Sequence, residues 1–484
     1  MSPIQGTFRE PLTRVNYNIP VVRWWHLPPP NLDVNGAVMK DQSESTSHVV
    51  PGALPQSVTA EALAEHPETR NSVGEAPAIP KVGAWFTTVF ALTYFGFFLV
   101  LFMPTLFSLA YKVQLIDPGT KEATLGLIIG IGGFISLVTG PIFGVLSDAT
   151  RTRWGRRRPY IIVGFALSLV SAVIIALAPN VWVIIVGWII AQLGGGAISA
   201  ALNPTLAERV PDYQRGRLGS LSGVAASVAG VVATLAGSFL TSNLLLLFLA
   251  PVAVFAVAAA LWLVTVPDAP APKEARIGSL MDIFRHLAFN PKKHRDFAWV
   301  WVGKFALNIG FSFFSTYQFY FLLDRMGFTP ETAGQQMATV GGLSLLGTLL
   351  FTLGGGYLSD RLRRRKPFIY LSSAMIAAGS ITIAISPDFL TYIIGGVVLS
   401  AGVGAFNSVD LALAADVVPK GNENGKWMGI YFLSGSLAST VGPVMAPLVL
   451  AIGGTGANYT ALFIVGGLLS LGAAITAARV RGAR

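Results

Sequence analysis

Long apolar runs alternate with short polar clusters along most of this chain. Twelve runs reach the roughly 20 mostly apolar residues that a helix needs to cross a bilayer. They cover 82–110, 125–147, 160–178, 181–206, 218–240, 244–266, 297–323, 333–358, 367–386, 389–415, 428–452 and 457–478. The pattern predicts an all-α membrane protein with twelve transmembrane helices. The longest break follows the sixth run and divides the spans into two six-helix bundles, 82–266 and 297–484. Residues 1–81 contain no apolar run, so we expect no signal peptide and a mostly disordered tail. The segment 267–296 reads as a linker. Within it Ser279-Leu280-Met281-Asp282 has capping-box form, and Leu280, Ile283, Phe284 and Leu287 share one helical face. That predicts a short helix lying on the membrane surface.

The two bundles repeat each other. Gly144-x-x-x-Asp148 is followed by Arg151, Arg153, Trp154-Gly155 and Arg156-Arg157-Arg158-Pro159. Gly356-x-x-x-Asp360 is followed by Arg361 and then Arg363-Arg364-Arg365-Lys366-Pro367, with Asp360 placed 212 residues after Asp148. Asn203, Glu208-x-x-Pro211 and Gly219 match Asn407, Asp416-x-x-Pro419 and Gly429. Several matches in order, each at the equivalent span, indicate duplication, which is common among secondary transporters.

Charge orients the spans. The Arg-rich loops resist translocation, whereas the opposite loops, with Lys112, Asp117, Lys121 and Glu122, come close to neutral. Both termini are therefore expected in the cytoplasm. The net charge of +10 falls in alternate loops, which argues against nucleic acid as a partner. Only 12% of residues are charged, against about 25% in soluble domains. There is no cysteine, hence no disulfide or thiolate metal site. No nucleophile–base constellation or metal-ligand spacing suggests an enzyme or a cofactor.

The repeated loop signature lies between spans two and three and again between eight and nine. In this the chain resembles the major facilitator superfamily from about residue 82 to 478. Ser147-Asp148 with Trp154-Gly155-Arg156-Arg157-Arg158-Pro159 is similar to the sucrose-transporter and glycoside–pentoside–hexuronide:cation symporter branch. So is Asp410-x-Ala412-Leu413-x-x-Asp416-Val417-x-Pro419. The resemblance implies alternating access around a central site between the bundles. It also implies a gating cluster in which Asp148, Arg156 and Arg157 meet Glu208 and Arg209, latching the outward-facing state. Asp360, Arg361 and Asp416 are the counterparts in the second half. Sodium-coupled members of the branch carry acids in the early spans. The first three spans here have none, which argues against sodium coupling.

In the resembled fold, spans one, four, seven and ten line the cavity. Polar and aromatic side chains on those spans are Tyr94, Trp188, Gln192, Asn203, Asn308, Tyr317, Gln318 and Asn407. Amides bond hydroxyl pairs and rings cover the apolar face of a pyranose, so these are the expected substrate contacts. Interhelical amide bonds are the structural alternative. Lys304 and Asp410 sit at matching depth, where an unpaired charge is costly, and are expected to pair, either to couple proton binding to transport or as a static bridge holding the second bundle together. The expected protein is a monomeric, multi-pass inner-membrane importer that carries a sugar with protons. An exporter of drugs or metabolites with the same fold, and a non-transporting sensor using the tail as an interaction arm, are the alternatives.

Overall fold

The computed structural model describes residues 80–268, 270, 289–362, 364–419, 424–454 and 456–480. The tail, with Trp24-Trp25, and the surface helix expected over 279–287 lie outside these residues. Among the described residues, twelve helices are long and apolar enough to span a membrane. We label them α1 (Ala84–Ile116), α2 (Lys121–Ala149), α3 (Arg158–Leu177), α4 (Val181–Arg209), α5 (Asp212–Phe239) and α6 (Leu244–Thr265). The second set is α7 (Arg295–Asp324), α8 (Pro330–Leu362), α9 (Lys366–Ala384), α10 (Phe389–Val417), α11 (Asn424–Leu450) and α12 (Tyr459–Arg479). Each expected span is present.

The edges changed the picture at one place. Helix α1 runs six residues past the expected end, so Lys112 lies in the helix and not in a loop. It is buried, and its Nζ donates to the Ala176 carbonyl at 3.0 Å. That carbonyl belongs to the last turn of α3, where unpaired C=O groups attract a cation. Helix α1 also contains a π-turn, Pro104–Ser108. Pro104 has no N–H to continue the α ladder. The Thr105 hydroxyl donates to the Leu101 carbonyl at 2.7 Å.

Packing follows the repeat. In the first set α1 packs on α5 and α6, α2 on α4, and α3 on α4 and α6. Adding six to every label gives the packing of the second set: α7 on α11 and α12, α8 on α10, α9 on α10 and α12. The sets meet mainly along α2–α11 and α5–α8, a pair that exchanges under the same operation.

These seams are tight at one end only. A Cβ at Gly126 or Gly133 of α2 would run into Pro443 or Thr440 of α11, so the backbones approach as closely as glycine permits. Further along α2, Gly140 and Gly144 face open space. Helix α8 behaves alike. Gly334 is pressed against Phe107 and Ser238, whereas nothing stands near Gly354 or Gly356. The two sets thus converge at the end of the near-neutral loops, here the far end, and splay at the basic end.

Candidate functional site

A cavity of about 800 Å³ occupies the space between the sets, just inside the closed far end. Its amides are Gln192, Asn308 and Asn407, and its rings are Phe102, Trp188 and Phe311. Hydroxyls come from Thr105, Ser136 and Ser227 in the first set, and from Ser312, Ser315, Thr316, Ser436, Ser439 and Thr440 in the second. Its described lining residues include no Asp, Glu, Lys, Arg or His. The π-turn of α1 contributes Thr105 and Leu106 to the wall. Asn308 donates to the Lys304 carbonyl at 2.8 Å, which leaves its amide oxygen free to accept. Trp188 is 3% exposed, and its Nε1 has no hydrogen-bond partner. That edge of the indole lies against Gly132 of α2, where a Cβ would collide with Nε1.

Four of the eight expected substrate contacts line the cavity: Trp188, Gln192, Asn308 and Asn407. The other four do not. Tyr317 is fully buried towards the far end and donates to the carbonyls of Pro443 (2.9 Å) and Glu122 (3.1 Å). Helix α7 is 30 residues long, which places Tyr317 about two turns from its far end and above the cavity. Gln318 bonds the Ser315 carbonyl at 3.4 Å within its own helix. Tyr94 and Asn203 contact one another at 3.4 Å, and Asn203 donates to Ser199 at 2.8 Å, nearer the basic end. The hydroxyls were missed because Ser and Thr in a membrane helix so often bond their own backbone. Thr440 does so too, donating to the Ser436 carbonyl at 2.9 Å.

The basic end holds two matching charge clusters. Arg157 is buried and forms ion pairs with Asp148 (2.7 Å) and Glu208 (2.5 Å). It also donates to Ser147 Oγ and the Ala200 carbonyl. Arg156 reaches Glu208 at 2.8 Å. In the second set Arg365 pairs with Asp416 at 2.7 Å and donates to the Ala412 carbonyl. Arg361 is exposed, and the Asp360 side chain lies outside the described ones. These contacts all stay within one set and do not bridge the two. Arg209 was expected in the cluster with Asp148 and instead approaches Asp268 at 3.9 Å. Asp268 went unrecognised in the sequence. It accepts from the backbone N–H of Arg157 (2.6 Å) and Arg158 (3.0 Å), capping α3. Gly155, with φ of +103°, leaves the room it needs.

Lys304 and Asp410 form an ion pair of 2.7 Å inside the second set. Tyr431 of α11 completes the group. Its hydroxyl donates to Asp410, and its ring centroid lies 3.9 Å from the Lys304 ammonium. Depth matching across spans would have found Tyr431, which stands one to two turns inside α11 from the basic end.

Polar bridges between the sets lie at the far end. Lys121 meets Asp324 at 2.6 Å, and Tyr320 donates to the Ala110 carbonyl at 2.9 Å. Tyr459 Oη stands 2.8 Å from Glu122 Oε1 and 2.6 Å from Asp324 Oδ2.

A family model described as Major Facilitator Superfamily matches residues 86–346 and 332–483. The chain belongs to this superfamily. With its twelve apolar helices it is a multi-pass membrane protein. Among superfamily relatives, the inner membrane transport protein YajR of Escherichia coli is 33% identical over 181 residues, 37% of this chain and 37% of that protein. An uncharacterized symporter of Synechocystis, sll1374, is 44% identical over 46 residues, 10% of this chain and 8% of that protein. The chain thus matches well under two thirds of either relative's length. A solved D-xylose-proton symporter has a TM-score of 0.61 at 18% identity, covering 80% of this chain and 96% of that one. That likeness shows the fold alone.

Proposed function

We propose that this transporter imports a neutral sugar or glycoside across an inner membrane with protons, by alternating access. The observation that carries the reading is the uncharged cavity, in which amides and hydroxyls from both sets surround Trp188 and two phenylalanines. A charged solute would leave its charge unpaired there, at a cost of several kcal/mol. A polyhydroxylated ring finds donors and acceptors on its edges and aromatic faces above and below. The symporter relative and the fold of the D-xylose-proton symporter favour the same reading.

On this reading the basic end and both termini are cytoplasmic. The splayed basic end makes this the inward-facing state, and residues 82–266 and 297–484 are the bundles that rock. Asp148, Arg156, Arg157 and Glu208, with Asp360, Arg361 and Asp416 opposite, form the inner gate of the outward-facing state. Lys304 and Asp410 carry the proton step. A proton on Asp410 releases Lys304 and loosens α7 from α10, and its loss restores the bridge.

Right-side-out vesicles given radiolabelled neutral sugars, and the matching uronic acids, test this under an imposed proton gradient. Gradient-driven accumulation of a neutral sugar but of no uronic acid is expected. Accumulation of the acids in preference, or extrusion of preloaded sugar, would overturn it.

A further inference from the structure

The far end of the seam holds one more oxygen contact than its hydrogens can make. Tyr459 Oη is 2.8 Å from Glu122 Oε1 and 2.6 Å from Asp324 Oδ2. A phenol has a single hydrogen and donates it to one of them. Towards the other it offers only lone pairs. Two oxygens that close are held together only when a hydrogen lies between them, so one carboxyl brings its own.

Lys121 distinguishes the two. It sits 2.6 Å from Asp324 and 4.0 Å from Glu122, so Asp324 has the close cation and Glu122 does not. Among the described residues, the other titratable groups tied to Glu122 are not cations. They are Asp117 in the turn before α2, Tyr317 and Tyr320 of α7, and Tyr459 of α12. Asp117 is engaged with the Thr120 and Thr124 hydroxyls, each at 2.6 Å. Tyr317 has its one hydrogen engaged by backbone carbonyls, that of Pro443 in α11 at 2.9 Å being nearer than that of Glu122 at 3.1 Å.

We propose that Glu122 is a proton-binding site built into the far-end gate. With its proton bound, donation runs from Glu122 to Tyr459 to Asp324, where Lys121 also donates. The chain of bonds ties α2 of one bundle to α7 and α12 of the other. Removal of the proton to far-side water places two carboxylates against one phenol and opens the seam. Acid on the far side thus favours the state described above. The proposal needs the two sets to rock but does not depend on the solute or on Asp410.

The sequence contains no cysteine, so a single introduced one reports alone. Ser439→Cys places a thiol in the cavity wall. A membrane-impermeant maleimide applied from the far side reaches it only when that end opens. Labelling is normalised to Gly119→Cys, an open loop position, which removes the reagent's own pH dependence. The normalised signal should rise at least about threefold between about pH 5 and about pH 8, within the limit of about tenfold per pH unit for one proton. Glu122→Gln keeps a donor at that position and should stay low at both values. Tyr459→Phe removes the link, should stay high at both, and stands if Glu122→Gln fails to insert. A flat native profile, or a Glu122→Gln or Tyr459→Phe profile that tracks the native one, would overturn the proposal.

Discussion

Lys304 and Asp410 meet at 2.7 Å although they come from helices that run in opposite directions. Both side chains are about nine-tenths buried, and Tyr431 closes the group from a third helix. Removing one partner of such a pair typically costs ~3–5 kcal/mol, because the other charge stays behind unpaired. Asp410→Asn is expected to lose proton-driven accumulation and keep solute exchange. Lys304→Ala should harm function less when Asp410→Asn is also present. Transport by the single and double variants in one vesicle system checks both. Full accumulation by Asp410→Asn would exclude the coupling role.

Arg157 and Asp148 differ in how much each carries. Arg157 is buried and serves two carboxylates, a hydroxyl and a carbonyl, whereas the Asp148 side chain is 63% exposed. Arg157→Ala is expected to destabilise the protein by ~3–5 kcal/mol. Asp148→Asn should cost no more than ~1 kcal/mol in stability, because water screens an exposed pair. Its transport should nevertheless slow markedly, since Asp148 is free to find another partner when the basic end closes. Melting in detergent and initial uptake rates separate the two effects. Equal losses of melting temperature would contradict this assignment.

The cavity makes a contrast between two residues first expected to share a role. Gln192→Ala should raise the KM for the solute about two- to tenfold, the worth of one hydrogen bond. Tyr317→Phe should leave the KM for binding unchanged and alter labelling from the far side, because its hydroxyl bonds two carbonyls at the seam. A rise in KM for Tyr317→Phe with Gln192→Ala unaffected would reverse the placement.

Gly133→Val tests the seam directly. Its side chain would occupy the space of Thr440. Closure at the far end should then fail, with uptake reduced at least about tenfold for a cost near 1.4 kcal/mol. Gly144→Val, in open space on the same helix, should leave closure of the far end intact. Normal uptake by Gly133→Val would mean that the two sets do not close along α2–α11.

The spans were legible because lipid demands long apolar runs. The pair Arg157–Glu208 was legible because each charge sits in a repeated motif, whereas the place beside Asp416 expected for Arg361 is taken by Arg365. Register inside the repeat was harder. Helices α4 and α10 begin at Val181 and Phe389, which aligns Asn407 with Ser199 and not with Asn203. That is a slip of one helical turn, and it explains why Asn407 reaches the cavity while Asn203 lies nearer the basic end. The far-end network was hidden by summing loop charges. Lys121, Glu122 and Asp324 nearly cancel as a total, yet each has its own partner on an opposing helix. Net charge locates a side of the membrane and carries no information about who faces whom.

Asp268 has a mechanical consequence. The chain that joins the two halves leaves α6 immediately before it, and this residue is held by two backbone N–H groups at the start of α3. The tether is therefore pinned at its root, on the same residue that anchors Asp148 and Glu208. Tension arising when the halves swing is delivered to Arg157 and not spread along α6.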